Sequence, residues 1–404
     1  MSVRWTVWCL CAALAAAAPA DLRAAPPAEV KAKLNLYRTP YYDVYTDAEP
    51  DVVREAIARM TCMAREYQQR TSSFGRRIRN RLPFYLFSSA EDYRAAGGVP
   101  GSAGVYTGDK LMAVIGPDPS EGTWRVVQHE GFHQFVHKVL SGRVPIWVNE
   151  GMAEYFAQGV WTGDSYVMGV ISPGRLKQVK SLIKSGQILP FLEMMEMTGR
   201  QWQSNLASRN YAQAWAMVHF LAHAEDDKYQ KAFNAFLSDV AAARLSWRQA
   251  FVRHFGRDVE GFQKRFADWW TSLPDDPTAD LYSGAVVQTL TSFLARSHGQ
   301  GQRFEDVEGF FQAARDGTLK EDPKLWLPRT LLQRGLSEAR KLSEWKLVKT
   351  QQGPGVRLSL PDGTTFTGSV RIKPGSAVEA SVRMERAKAS SRPAPEAAGT
   401  RPGR

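Results

Sequence analysis

The sequence predicts an α+β fold, in which a small mixed sheet with helices leads into a helical lobe, a further helical segment and a small antiparallel β unit. Three observations predict it. Short alternating apolar and polar runs lie between helical patterns before residue 120. From there to residue 344 the pattern is almost wholly helical. Between residues 346 and 385 the alternation returns, with Gly and Pro turns.

The N-terminal half contains the predicted sheet. Alternation from Asn35 to Thr46, interrupted at Pro40, predicts two strands, and apolar residues at helical spacing after Pro50 predict a helix with one buried face. The remaining predicted elements are a strand at Leu82 to Phe87, a hairpin of Gly104 to Thr107 with Leu111 to Ile115 around Gly108-Asp109, and helices at Thr123 to Leu140 and Ile146 to Gln158.

Helical patterns dominate the next part of the chain, at Pro173–Ser185, Tyr211–Ala224, Lys228–Ala243, Trp247–Phe255 and Val259–Ser272. Pro274-Asp275-Asp276-Pro277 indicates a boundary, and turns are expected at Gly353-Pro354-Gly355, Pro361-Asp362-Gly363 and Pro374-Gly375. We therefore divide the chain into a signal peptide (1–20), a main domain (34–274), a helical segment (280–344), a β unit (345–385) and a disordered tail (386–404).

The N-terminus predicts export. It has one charge at Arg4, an apolar run and an Ala18-Pro19-Ala20 cleavage site, as a secretory signal does. An uncleaved anchor is the alternative, but about fourteen apolar residues are fewer than the roughly twenty that span a bilayer. We expect a periplasmic or extracellular protein without a stable membrane span. Only Cys62 follows the signal, so the mature chain can form no internal disulfide.

The net charge of +11 comes from 52 basic and 41 acidic residues that are scattered, with part of the excess in the tail. No nucleic-acid-binding signature accompanies it, so nucleic acid is not an expected partner. A weak electrostatic contact between the basic tail and anionic envelope surfaces is expected instead.

One motif carries chemistry. His129-Glu130-Gly131-Phe132-His133 matches H-E-x-x-H within a predicted helix, which places both imidazoles on one face, one turn apart, where they can share a metal ion. Glu130 can then act as the general base on a metal-activated water. The alternative is an ordinary helix with two surface histidines. His137 lies one turn further, but a straight helix cannot wrap three turns around one tetrahedral ion.

The next predicted helix supplies carboxylates. Within Trp147-Val148-Asn149-Glu150-Gly151-Met152-Ala153-Glu154-Tyr155-Phe156, Glu150 and Glu154 lie four residues apart and so face the same way. Glu150 can complete the ligand set. Glu154 suits the carboxylate that usually accepts the other N–H of a metal-bound histidine, here His129.

These two motifs resemble the gluzincin zinc metallopeptidases, and most closely the peptidase MA-like family, over roughly Leu34 to Leu273. The resemblance implies a zincin-like domain with one zinc ion held by His129, His133 and Glu150, with Glu154 and Asn149 as supporting residues. It also implies that Tyr211 donates a hydrogen bond to the developing oxyanion; a buried structural tyrosine is the alternative. No G-x-M-E-N-type stretch precedes the motif, which argues against aminopeptidase action.

The strand at Leu111 to Ile115 carries a further hypothesis. In gluzincins the strand before the zinc helix is an open edge, on which an extended peptide can pair as an added strand. The alternative is an internal strand without a free edge.

Two functions follow from these patterns. The first is a secreted zinc peptidase that hydrolyses a peptide or protein substrate, with Glu130 as base. The second is a non-catalytic cell-envelope protein that keeps the metal site while its C-terminal β unit binds protein or glycan partners. A glutamate between the two histidines favours the first, because a purely structural site gains nothing from a base.

Overall fold

The computed structural model describes residues 26–75, 77–117, 119–140, 144–204, 208–342, 344–351, 353–372 and 378–387. It has the predicted α+β class, with a mixed sheet among helices and a separate antiparallel sheet near the C-terminus. The predicted signal peptide and the tail from residue 388 onward lie outside the described residues. The chain forms two compact units, Met1–Ala285 with Leu327–Leu331 and Val286–Trp326 with Leu332–Arg404.

The first unit contains the predicted strands and helices, and six short elements that the sequence patterns did not predict: the helices Ala28–Ala32, Ala90–Ala95, Phe191–Glu196 and Gly199–Ser204, and the strands Val160–Trp161 and Tyr166–Val167. Its elements are α1 (Ala28–Ala32), β1 (Asn35–Arg38), β2 (Tyr42–Thr46), α2 (Pro50–Arg70), β3 (Leu82–Phe87), α3 (Ala90–Ala95), β4 (Gly104–Tyr106), β5 (Leu111–Val114), α4 (Glu121–Val139), α5 (Ile146–Ala157), β6 (Val160–Trp161), β7 (Tyr166–Val167), α6 (Pro173–Lys184), α7 (Phe191–Glu196), α8 (Gly199–Ser204), α9 (Ser208–Asp227), α10 (Gln230–Ala241), α11 (Trp247–Phe255) and α12 (Val259–Ser272).

The sheet of the first unit has the strand order β1-β2-β3-β5-β4. β3 pairs in parallel with β2 and β5, while the two outer pairs are antiparallel. One core cluster joins strand residues such as Phe84 and Leu111 to Met60 of α2 and to Trp124 and Val127 of α4. The helix that carries the H-E-x-x-H motif is therefore fixed against the sheet by buried side chains.

The prediction of an open edge at Leu111 to Ile115 is wrong. β5 is internal, because it pairs with β3 on one side and with β4 on the other. The strand at this edge of the sheet is β4, which the same hairpin supplies. The physical reason is that the turn at Gly108, with a φ of +96°, folds β4 back onto the outer side of β5.

Helix α5 lies between α4 and α9. Ser120 begins α4 by accepting a hydrogen bond from the backbone N–H of Thr123 at 3.3 Å.

A Cβ added at Gly151 of α5 would lie 2.4 Å from the backbone oxygen of Ala214 on α9. The two helices can therefore approach this closely only because residue 151 has no side chain.

Helix α13 (Ala279–Gly299) begins in the first unit and continues into the second. The second unit also contains α14 (Val307–Asp316), a 3₁₀ turn (Pro323–Leu325) and most of α15 (Arg329–Ala339). Its sheet is an antiparallel meander in the order β11-β10-β9-β8, formed by β8 (Trp345–Thr350), β9 (Gly353–Ser359), β10 (Thr365–Ile372) and β11 (Val378–Glu385).

One of the predicted turns in this β unit is wrong. Gly353-Pro354-Gly355 belongs to β9, where Pro354 and Gly355 pair with Lys349 and Val348 of β8. The turn at Pro361-Asp362-Gly363 is confirmed by a φ of +83° at Gly363. The predicted turn at Pro374-Gly375 lies outside the described residues.

Candidate metal centre

Helix α4 carries His129, Glu130 and His133 in its middle, where all three side chains are buried. The two imidazoles lie one turn apart with ring centroids 4.8 Å from each other. Burial of a helix on nearly every side is typical of one that crosses the core of a domain. The two histidines are therefore not ordinary surface residues.

Helix α5 brings Glu150 to both rings. One carboxylate oxygen, Oε2, lies 3.5 Å from Nε2 of His129 and 3.5 Å from Nε2 of His133. One potential ligand atom from each of the three residues lies within 4.8 Å of the others. The structure thus brings together the three side chains that the sequence predicted as metal ligands.

The donor atoms suit a cation. Neither Nε2 atom nor either oxygen of Glu150 has a hydrogen-bond partner among the described residues, although all are buried. Unpaired buried polar atoms are costly, so such a cluster needs another partner. Ligands about 2.0 to 2.1 Å from a tetrahedral zinc ion lie about 3.4 Å apart, close to the 3.5 Å found here. Two imidazoles and one carboxylate are also a typical zinc donor set.

Glu154 supports the centre from outside. Its Oε1 lies 3.1 Å from Nδ1 of His129, the ring nitrogen that faces away from Glu150. Its Oε2 is paired with the guanidinium of Arg175 on α6, which also lies over the ring of Trp215, 5.6 Å from its centroid. Burial would raise the pKa of Glu154, but Arg175 and His129 outweigh burial and lower it to about 2.

The electrostatic environment favours positive charge between the helices. Burial opposes protonation of His129, yet Glu150 and Glu154 raise its pKa well above the usual value. Burial likewise acts to raise the pKa of Glu150, and His133 and His129 lower it below its usual range. The cluster therefore favours a proton on His129, which is positive charge between the two helices.

Glu130 lies beside the donor cluster but is held by the sheet. Its Oε2 accepts a hydrogen bond of 2.8 Å from the backbone N–H of Tyr106, in β4. Its Oε1 is buried and has no hydrogen-bond partner among the described residues. One oxygen is thus fixed, while the other remains able to accept a proton.

Tyr211 lies beside His129, and Asn149 directly precedes Glu150 in the chain. The ring of Tyr211, near the start of α9, is 6.5 Å from that of His129 and packs edge-on against Trp202. The side chain is largely buried. Asn149 precedes Glu150 on α5, and its Oδ1 is a buried atom that lacks a hydrogen-bond partner within the described part of the chain.

The other histidines near these helices lie outside the centre. His137 is exposed near the end of α4, and its Nδ1 is hydrogen-bonded to the hydroxyl of Tyr106. His219 and His223 lie on α9 and contact Tyr155, and Nε2 of His219 lies 3.1 Å from the carbonyl oxygen of Gly169. None of the three belongs to the group that could hold a metal.

The buried His219 makes stability sensitive to acid. Burial and neighbouring His223 lower its pKa from 6.5 to about 3. Below pH 6.5 the unfolded chain therefore binds more protons, so stability falls as the pH falls. In chelator-treated protein, His219→Gln is expected to remove about 2 kcal/mol of the stability lost between pH 7 and pH 5. Urea unfolding of both proteins at the two pH values measures this, and equal losses would contradict it.

The outward backbone N–H groups of the edge strand β4 already have hydrogen-bond partners within the protein. On either side of β4, the N–H of Val114 donates to the carbonyl oxygen of Ala103, and the N–H of Thr107 donates to that of Lys110. Because the bonding direction alternates along a strand, the backbone N–H groups of Gly104 and Tyr106 point away from β5. The N–H of Gly104 donates to Ser102 at 3.1 Å, and that of Tyr106 donates to Glu130. Both outward N–H groups are thus engaged, and an added strand would have to displace these bonds.

Comparison with known protein families gives a match over part of the chain. A family described as a protein of unknown function (DUF1570) matches residues 124–242. This segment contains the three potential ligands. It also contains Glu130, Glu154, Arg175 and Tyr211. The chain matches no curated protein. Among the residues that the structure describes, no helix combines the length and apolar character needed to cross a membrane.

Proposed function

We propose that this protein is an exported zinc-dependent peptidase of the gluzincin type. The observation that carries the proposal is the convergence of His129, His133 and Glu150, all buried, next to a glutamate of which one oxygen has no hydrogen-bond partner in the described part of the chain. A structural metal site requires the ligands alone. The adjacent Glu130, buried and oriented by the sheet, is the feature that hydrolysis requires in addition.

His129, His133 and Glu150 would hold the zinc ion. When bound, zinc supplies a Lewis acid that polarises a carbonyl and lowers the pKa of water to about 7. Glu154 fixes His129 by its contact with Nδ1, and Arg175 keeps the Glu154 carboxylate ionised. These contacts orient the imidazole so that Nε2 faces the ligand cluster.

Glu130 performs the proton transfers in this proposal. With Oε2 held by the N–H of Tyr106, Oε1 takes the proton of the attacking water and then donates it to the leaving amine. The products are a carboxylic acid and an amine, so no other reactant is needed. Tyr211, beside His129, is the proposed donor to the oxyanion that develops on the substrate carbonyl.

A second candidate function is favoured by one surface. The exposed face of the C-terminal sheet forms a polar groove of about 540 Å³ lined by Arg357, Thr367, Ser369, Arg371, Ser381 and Arg383, among others. Hydroxyl and guanidinium groups are typical of sites that bind glycans or acidic peptides. The alternative is therefore a non-catalytic envelope protein that keeps the metal and binds such partners through this sheet.

The Glu130→Gln variant separates the two functions. It is expected to retain zinc and to lower the rate of cleavage of casein and of a mixed peptide library by about 10² to 10⁴, because glutamine cannot accept the proton. Mass spectrometry of the products measures cleavage, and elemental analysis measures zinc. Glu193→Gln, which changes an exposed glutamate, is the matched control. If the zinc-loaded wild-type protein cleaves none of these substrates, the peptidase proposal is refuted and the binding function is favoured.

A further inference from the structure

The side chain of Tyr106 is anchored at its far end. Its hydroxyl donates to the carbonyl oxygen of Gly108 and lies 2.7 Å from Nδ1 of His137. Burial raises the pKa of the phenol, with a smaller contribution from Asp109, so it keeps its proton near neutral pH. A phenol has one proton, and here Gly108 receives it. Nδ1 of His137 must therefore carry a hydrogen that it donates to the phenolic oxygen.

The same residue holds the candidate base through its backbone. The N–H of Tyr106 donates to Oε2 of Glu130, so its side chain and its main chain connect two positions of α4. These positions, Glu130 and His137, are seven residues apart, which is two helical turns, and lie on one face of the helix. Strand β4 is thereby attached to α4 at two points.

We propose that His137 is a positioning residue for Glu130. By fixing the phenol of Tyr106, His137 holds β4 where the backbone N–H of Tyr106 meets Oε2 of Glu130, and Oε1 is left without a hydrogen-bond partner among the described residues. The catalytic consequence rests on the proposed function. The orientation of Glu130 is a property of the fold and can be measured without any activity.

The contact is suited to mutation because His137 is exposed at the end of α4, away from the core. His137→Leu removes the donor. His137→Asn places an amide nitrogen near the position of Nδ1 and so restores it. Lys138→Ala is the matched control, because Lys138 is the next residue, is likewise exposed and contacts Asp109 rather than Tyr106.

Hydrogen exchange at the Tyr106 amide tests the orientation. In full-length protein labelled with ¹⁵N-tyrosine, exchange at this amide is expected to be about tenfold faster in His137→Leu than in wild type. His137→Asn and Lys138→Ala are expected to exchange at the wild-type rate. Unchanged exchange in His137→Leu would overturn the proposal, whether or not the protein cleaves peptides.

Kinetics tests the consequence. With zinc content unchanged, His137→Leu is expected to lower kcat about tenfold and to leave KM unaltered, because a displaced base slows proton transfer without weakening substrate binding. Recovery in His137→Asn is expected. Faster exchange with an unchanged kcat would overturn the assigned role of His137. Absence of cleavage by wild type would refute the peptidase function, while the exchange result would still decide whether His137 positions Glu130.

Discussion

The Glu150→Ala protein is expected to contain almost no zinc after dialysis, whereas the wild-type protein retains about one ion per chain. Glu150 is the only one of the three ligands that comes from α5, and its Oε2 lies 3.5 Å from both imidazoles. Alanine therefore leaves two imidazoles in a buried site with no negative ligand to balance the charge of the ion. Elemental analysis of the purified proteins measures the loss.

Graded controls make this result specific. Glu154→Gln keeps all three ligands and removes the charge that faces His129, so zinc affinity is expected to fall about 10-fold to 100-fold rather than vanish. Glu130→Gln and Glu193→Gln are expected to bind zinc as wild type does. Competition with a chelator of known affinity gives the dissociation constants. Wild-type zinc content in Glu150→Ala would show that the metal binds elsewhere.

Zinc binding should also stabilise the folded protein. A ligand present at about 1,000 times its dissociation constant adds about 4 kcal/mol to the free energy of unfolding. The midpoint of thermal unfolding is therefore expected to rise with zinc in wild type and to be unaffected in Glu150→Ala. This readout depends on the folded state alone and needs no substrate.

The proximity of the three potential ligands could be predicted because it is encoded largely by local spacing. His129 and His133 share a helical face by periodicity alone, and the same holds for Glu150 and Glu154. That α4 and α5 lie against each other follows from the short break between two helical patterns. The α+β class was predictable for a similar reason, since the periods of helix and strand alternate clearly along the chain.

The supporting contacts could not be predicted because they depend on packing between distant segments. Arg175 on α6 reaches Glu154 on α5 because both helices pack against α9. Nothing in the local sequence links the two residues. The bond to Glu130 comes from a backbone N–H, which has no residue-type signal at all. The prediction of an open edge at Leu111 to Ile115 failed for a related reason: a hairpin pattern predicts which strands pair, but not which of them lies at the edge.

The position of Glu150 depends equally on a residue without a side chain. Gly151 lies where α5 meets α9, and a Cβ there would be 2.4 Å from the carbonyl oxygen of Ala214 and 2.7 Å from Val218. Because a backbone atom forms the closest contact, no change of rotamer can relieve it. The helices would have to separate, and Glu150 would move with α5 away from the two imidazoles.

The Gly151→Ala variant is therefore expected to lose about 2 to 3 kcal/mol of stability, despite the gain of about 1 kcal/mol that alanine usually brings to a helix interior. Zinc affinity should fall as well, although no ligand has changed. Gly174→Ala is the matched control and should be neutral or slightly stabilising, because in helix α6 no described atom beyond its chain neighbours and the adjacent helix backbone lies within 4 Å of the added carbon. Urea unfolding and zinc titration of both variants measure these effects. Equal stability of the two variants would show that α5 and α9 do not approach as closely as described, and the ligand geometry would then lose its support.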